Sequence, residues 1–516
     1  MISPRHQHYL KGAAEFKAAL ERHPGLYQPI LDDRNADPGR LSDVAEAKRF
    51  LERYTGDNVF REKLSSDMRA VATAYGLKSD PEEIRLLWDC DPAFHKNISV
   101  QDIRATVIRY RLWIAEKLVH RDRIREFDCI PADNNFRIWR ERQHNRVFHQ
   151  LGEKGACGIV HTSWAVELSK GCSGGCWFCG LGAGRKEADF KYSPENRKLW
   201  LEVLEVIGGI AGKKAAGQGV LYWATDPMDN PEYEMFADDF ADAFGRFPQT
   251  TTALPLRDIE RTRRVILHSR HRGCEINRFS VLSLKMLEEI FDNFTAEELL
   301  FTELITQNIE SSSAIGYTGR ARTSSLYGKK HDALGTPEEA RGFPGTISCL
   351  SGFLLNMLDR SLKLLTPCPA DDECPEGYWT LAEAHFDTAS DLEKTIRSII
   401  KTKMPTALTL IDPVDFRSDL SYKPCDAGGF EVSNRLIRTL FPSENHVLAD
   451  IAAIIARGGL SAGDVALEMQ EVKSVPMEMS LILMNRLFQE GVIEENPRIF
   501  SRKRRFEPDT ESLERI

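Results

Sequence analysis

The spacing of hydrophobic positions changes character twice along the chain. Through roughly the first 150 residues, apolar side chains recur at helical intervals among paired charges. Ile103, Val107, Tyr110, Ile114 and Leu118 fall on one helix face, and "SVQD" from Ser99 supplies a capping box ahead of them. From about residue 160 the texture becomes short β-branched runs, each closed by a polar or glycine-rich loop and followed by a helical pattern. The runs that predict strands are 162–169, 219–225, 250–256, 278–284, 346–355 and 361–367. Strands alternating with helices predict an α/β domain of right-handed βα units around a parallel sheet, with ligands at the carboxyl ends of the strands. Residues 308–345 interrupt this rhythm: polar, aperiodic and partly basic, they read as a mobile lid or binding segment, or equally as a disordered insertion.

After residue 445 the helical period returns. "VLADIAAIIARGG" predicts a helix stopped at Gly458 and Gly459, "SAGD" at 461–464 opens a second, and a third runs from Pro476 to Gly491. With "GVIEENPRIFSR" as a two-stranded wing, the section resembles a winged helix-turn-helix. The expected division is a helical accessory domain at 1–155, an α/β domain at 156–400, and a linker with a winged-helix-like domain at 401–516.

Composition narrows the class. A chain of 516 residues is too long for one ordinary core. Hydrophobic content of 42% with 28% charged residues suits a soluble globular protein, and no apolar run approaches the length of a membrane span. The opening "MISPRHQHYLKGAAEF" lacks the apolar core of a secretory signal, so the expected compartment is the cytosol, where eleven cysteines stay reduced. A net charge of -9 argues against broad nucleic-acid binding. The span 446–491 carries Arg457, Lys473 and Arg486 against Asp450, Asp464, Glu468, Glu471, Glu478 and Glu490, so a peptide-binding winged helix fits better than a DNA reader. The basic "RKRR" at 502–505 reads as a solvated tail.

Three cysteines stand apart from the rest. Cys172, Cys176 and Cys179 lie in "ELSKGCSGGCWFCGLGAG" at spacing C-x3-C-x2-C, directly after the first predicted strand. Three thiolates converge on one centre only if the backbone coils tightly, and Gly171, Gly174, Gly175 and Gly180 permit that. Structural zinc wants a fourth ligand with its own short spacing, and no second C-x2-C or H-x3-H follows. A dithiol at "CWFC" leaves Cys172 unexplained. Three thiolates on a cubane cluster instead leave one iron open to bind and activate something.

The motif resembles that of the radical S-adenosylmethionine (SAM) enzymes, including an aromatic residue, Phe178, before the last cysteine. That resemblance implies a partial (β/α)6 barrel, a 4Fe-4S cluster on Cys172, Cys176 and Cys179, and SAM chelated to the open iron and cleaved to a 5'-deoxyadenosyl radical. It places Phe178 beside the adenine, gives Thr225 and Asp226 of "ATDP" the amino group of SAM, and turns Thr252 and Ser280 toward ribose and carboxylate. The family's Gly-Gly-Glu-Pro turn is not reproduced in "ATDP".

The stretches "WAVELSKGCSGGCWFCG", "YWATDPMDNPEYE", "PQTTTALPLRDIERTR", "RFSVLSL" and "ISCLSGF…LLTPCPADDECPEGY" together resemble radical SAM peptide epimerases acting on proteusin-type precursors, over much of residues 160–385. The resemblance implies conversion of L- to D-residues in a ribosomal precursor peptide with a leader, a reducing partner such as a flavodoxin or ferredoxin, and a cysteine that returns hydrogen to the α-carbon. Cys368, directly after the run 361–367, meets that need by position; Cys374 is the second choice, and Cys349 serves if its strand ends early. The alternatives are a radical SAM thioether or carbon–carbon cyclase, and an iron–sulfur redox-sensing DNA-binding regulator.

Overall fold

The computed structural model describes residues 4–495 except 66, 97–98, 100–102, 338–340, 343–344, 347–348, 427 and 443–445. The chain divides into two compact units, one of residues 1–133 with 160–397 and the other of 134–159 with 398–516. The N-terminal helices thus belong to the α/β unit, and the segment expected to end the accessory domain belongs to the C-terminal one.

In the first unit, strand β1 (Thr162–Glu167) is buried along its whole length, as a strand covered on both faces must be. Val220 forms a single parallel bridge to Ala165, and the rest of the expected strand 219–225 is bends and irregular chain. Three further parallel strands follow, β2 (Thr251–Thr252), β3 (Asn277–Val281) and β4 (Thr302–Thr306). β4 was not among the sequence-predicted strands. β5 (Leu350–Asn356) pairs parallel with β1. β6 (Ser361–Pro367) and β7 (Tyr378–His385) then return antiparallel, giving the orders β1-β5-β6-β7 and β2-β3-β4. The described residues therefore form a mixed α/β unit of small sheets without a closed barrel, in place of six βα units. The reason for β6 is arithmetic: four residues separate it from β5, and a parallel crossover needs a dozen or more.

Helices begin where side chains can receive their first N–H groups. Ser193 caps Pro194–Ala211, Asp258 caps Ile259–His271, and Ser283, two residues beyond β3, caps Leu284–Asn293. The helix Ala105–Arg123 buries Val107 together with Leu112 and Trp113, while Leu118 of the expected face is exposed. Its expected capping box falls largely on residues 100–102, outside the described residues. Buried polar contacts join this region to the sheet layer. Glu116 accepts the N–H groups of Ile30 and Leu31, both at 2.9 Å, and Arg270 of the helix Ile259–His271 donates to the carbonyls of Ile30, Leu31 and Asp33.

The segment 308–345 is folded where described. It holds a 3-10 turn (Gly319–Arg322) and a helix (Ser325–Ala333) whose Lys330, fully buried, donates to the Asn308 and Ser311 carbonyls at 2.8 Å each. Burial lowers the Lys330 pKa from 10.5 to about 8. Between those values the unfolded chain holds the extra proton, so this site's contribution to stability rises as pH climbs from about 8 to 10.5. Denaturant unfolding of wild type and Lys330→Met across that interval reads the effect: only wild type gains stability from it.

In the second unit, the helix Asn134–Ala156, interrupted at Gly152, accompanies a three-stranded antiparallel sheet of β8 (Ser421–Pro424), β9 (Phe430–Ser433) and β10 (Arg438–Phe441). Three helices follow, His446–Ile455, Ala462–Lys473 and Met477–Gln489, their core built on Val432, Ile451, Val465, Met484 and Leu487. The capping box at Ser461 and Asp464 is present, and Gly458, Gly459 and Gly491 adopt the positive φ expected at helix stops. The expected wing lies beyond the described residues from 496 onward, as does "RKRR"; its described start, Ile493, bridges Phe416. Arg457 pairs with Glu468 and Lys473 with Asp450, so two of the three cations there are engaged.

Candidate functional site

The loop after β1 is a closed coil. Its neck is fastened by the Cys172 N–H on the Gly184 carbonyl at 2.9 Å, and inside it Cys179 donates to Cys176 at 3.2 Å and Gly182 to Cys179 at 3.1 Å. Gly171 turns the chain at φ +72, and a Cβ there would lie 2.0 Å from the Arg185 carbonyl oxygen. Gly174 is the centre of the cradle. A Cβ on it would sit 3.4 Å from Cys172 Sγ and 3.7 Å from Cys176 Sγ, and its N–H donates to Cys172 Sγ at 3.3 Å.

Burial pushes the Cys172 thiol up to about 11, with Asp226, Asp229 and Cys179 adding to the shift, and the Cys176 thiol up to about 12, with Cys179, Cys172 and Asp226 adding to it. Burial thus favours the thiol form at Cys172 and Cys176, and metal loading must displace those protons. Three sulfurs on one coil, with the nearby carboxylates engaged elsewhere, suit a thiolate-ligated cluster with one open position.

Carboxylates hold the loop in register. Asp229 accepts the Ser173 N–H at 2.8 Å and its hydroxyl at 2.5 Å, and Arg257 bonds to both Asp229, at 2.7 Å, and Ser173. Burial opposes the charge on Asp229, but the Ser173 and Arg257 bonds keep its pKa below the ordinary value. Lys186 donates to the Asp229 carbonyl at 2.6 Å. Asp226 takes the Thr252 hydroxyl and the Ala253 N–H at 2.7 Å each and the Met228 N–H at 2.9 Å, while burial raises its pKa to about 6. Of the expected SAM contacts, Asp226 and Thr252 thus meet each other. Thr225 is half-buried beside them, and Ser280 is half-buried in β3 opposite Ile305. Phe178 packs with Ile315, Ala321 and Tyr327 of the 308–345 segment.

Cys368 and Cys374 share one turn between β6 and β7: Cys368 N–H donates to Gly377 O and Gly377 N–H to Cys374 O, both at 2.9 Å. Because β6 is antiparallel, Cys368 leaves it at the end where β1 and β5 begin, not beside the root of the cysteine loop. The turn nonetheless reaches that loop. A Cβ on Gly182 would lie 3.4 Å from Glu376 Oε1, and Pro375 O accepts at 2.6 Å the N–H of Gly319, whose own Cβ would lie 2.2 Å from the Gly180 carbonyl oxygen of the loop. Cys368 is 1% exposed and Cys374 8%, whereas Cys349 is exposed. Three participants escape sequence reasoning: Asp229, Arg257 and Glu167. Glu167, buried at the end of β1, accepts the Ala224 N–H at 2.8 Å and the Asn356 amide at 3.0 Å, with its pKa raised by burial. Only Asp229, set in the acidic "DPMDNPE", carries a local signal.

The fold and site define a mixed α/β protein with a three-thiol coil after its first strand. The chain belongs to the same family as the uncharacterized protein y4wI of Sinorhizobium fredii (strain NBRC 101917 / NGR234), to which it is 35% identical over 498 residues, 94% of each chain. No protein-family model matches the chain. Among solved structures, that of BtrN in complex with AdoMet and 2-DOIA shares 11% identity at a TM-score of 0.29, covering 47% of this chain and 82% of that one, a likeness too slight to carry argument. No helix among the described residues is long and apolar enough to cross a membrane.

Proposed function

We propose that the protein is a radical SAM peptide epimerase that inverts L-residues of a ribosomal precursor peptide. The observation that carries this reading is the coil on which Cys172 and Cys176 flank Gly174 and the Cys179 N–H donates to the Cys176 carbonyl. When bound, a 4Fe-4S cluster and SAM supply the radical that removes an α-hydrogen. The chain's own part is to hold the ligand thiols, exclude water and return hydrogen. The Cys368 thiol gives its hydrogen atom to the opposite face of the α-carbon, and the resulting sulfur radical is restored by one electron from a flavodoxin- or ferredoxin-class donor and one proton from solvent. A buried thiol suits this role because water is kept from the radical. The outer strand β10, with Leu440 exposed, offers an edge to which an extended leader peptide can add.

Turnover of a precursor peptide in heavy water tests the reaction. The expected product carries one deuterium at each inverted α-carbon with connectivity unchanged. A product lighter by two hydrogens would identify a cyclase or dehydrogenase instead.

A further inference from the structure

We propose that Arg320 is a positioning residue for the three thiols: it fastens the cysteine coil from outside and keeps beside it a positive charge that forms no ion pair among the described residues. The proposal rests on the iron–sulfur reading of that coil. Three carbonyls of the coil are captured by this one residue. The Arg320 backbone N–H donates to Cys179 O at 2.8 Å, Nη1 donates to Cys176 O at 2.8 Å, and Nη2 donates to Ala183 O. Two of these carbonyls belong to the cysteines expected to ligate iron, and the third lies beside Gly184, the acceptor at the neck of the coil.

The approach depends on the preceding residue. Gly319 has φ +49, and a Cβ on it would lie 2.2 Å from the Gly180 carbonyl oxygen and 2.5 Å from that of Cys179, so only glycine brings the next residue close enough. The clamp is anchored on both sides. The Gly319 N–H donates to Pro375 O at 2.6 Å, and Ala321 packs with Phe178 and Tyr327. Gly319, Arg320 and Ala321 are in this sense a brace on the coil.

The side-chain bonds of Arg320 go to carbonyls, and among the described residues no carboxylate neutralises it. A lysine at this position keeps the charge and loses the fork, since one ammonium cannot span both carbonyls with the same planar geometry. The two duties therefore separate by substitution. The fork governs how long the ligand set stays closed, as outer contacts of metal ligands commonly do. The charge favours the more negative, reduced state of a cluster and so raises its potential.

The test uses full-length protein reconstituted anaerobically with iron and sulfide, comparing wild type, Arg320→Gln and Arg320→Lys. Three quantities are read: thermal unfolding of the iron-free proteins, loss of cluster absorption under a chelator, and reduction potential by EPR-monitored titration. The expected result is that Arg320→Gln unfolds like wild type, loses its cluster about ten-fold faster or more, and has a more negative potential. Arg320→Lys loses its cluster as fast but keeps the wild-type potential, which a merely structural role would not produce. If Arg320→Gln does not fold, the loss rate and potential of Arg320→Lys decide. A wild-type cluster matched in lifetime and potential by Arg320→Gln overturns the clamp alone; a wild-type chain that takes up no cluster overturns both the clamp and the reading beneath it.

Discussion

Cys176→Ala, reconstituted alongside wild type, should hold less than about one iron per chain where wild type holds about four, and should not cleave SAM. Two thiolates, from Cys172 and Cys179, cannot keep a cubane whose fourth iron is already open. The coil supplies no replacement: Asp226 is satisfied by Thr252, Ala253 and Met228, and Asp229 by Ser173 and Arg257. The loss should be specific to the metal. With its thiol pushed up to about 12, Cys176 is uncharged in the iron-free fold at neutral pH, so alanine there removes no ion pair. Stability of the iron-free protein should change by no more than about 1 kcal/mol in denaturant unfolding, the scale of an ordinary substitution. Cys90→Ala, at an exposed cysteine in the link between the helices Arg85–Trp88 and Pro92–Lys96, serves as the control and should keep its iron. About eight irons on wild type would indicate a second cluster and favour a cyclase.

The sequence made the cysteine coil legible because its chemistry is local: three thiols and their glycines fit in the ten residues 171–180, and spacing alone limits what they can hold. Helix ends were legible for the same reason, as at Ser461 with Asp464 and at Gly458 and Gly459. What escaped was decided over distance. β4 was missed because it is five residues long and half-exposed at alternate positions, and only its pairing with β3 defines it. The antiparallel return of β6 was implied by the four-residue connection after β5, yet an apolar run does not state its direction. Residues 134–159 read like their helical neighbours, but their packing partners lie beyond residue 398. Arg320 sits in a stretch with no period, and nothing local marks it as the partner of carbonyls some 140 positions upstream.

Cys368→Ala should cleave SAM at a rate within about ten-fold of wild type while its yield of D-residue falls on the order of a hundred-fold or more. The split follows from where the thiol stands. Cys368 contributes nothing to the three-thiol coil, so radical generation survives its loss, but no hydrogen atom is then returned to the α-carbon. The neighbouring thiol is the informative comparison, because Cys374 lies in the same turn, tied to it through Gly377, and is also buried. Both belong to a turn that meets the coil through Pro375 and Gly319, so proximity alone does not choose between them. Cys368 is favoured by its deeper burial, 1% exposed against 8%, which shields a sulfur radical from water more fully. Cys374→Ala should therefore keep most of the D-product. The reverse pattern, full epimerisation by Cys368→Ala and loss in Cys374→Ala, moves the role six residues along the turn, and retention by both variants moves it to Cys349. Each variant deletes one buried sulfur and should cost about 1–2 kcal/mol of stability. Thermal unfolding beside each assay separates a damaged fold from a missing hydrogen donor.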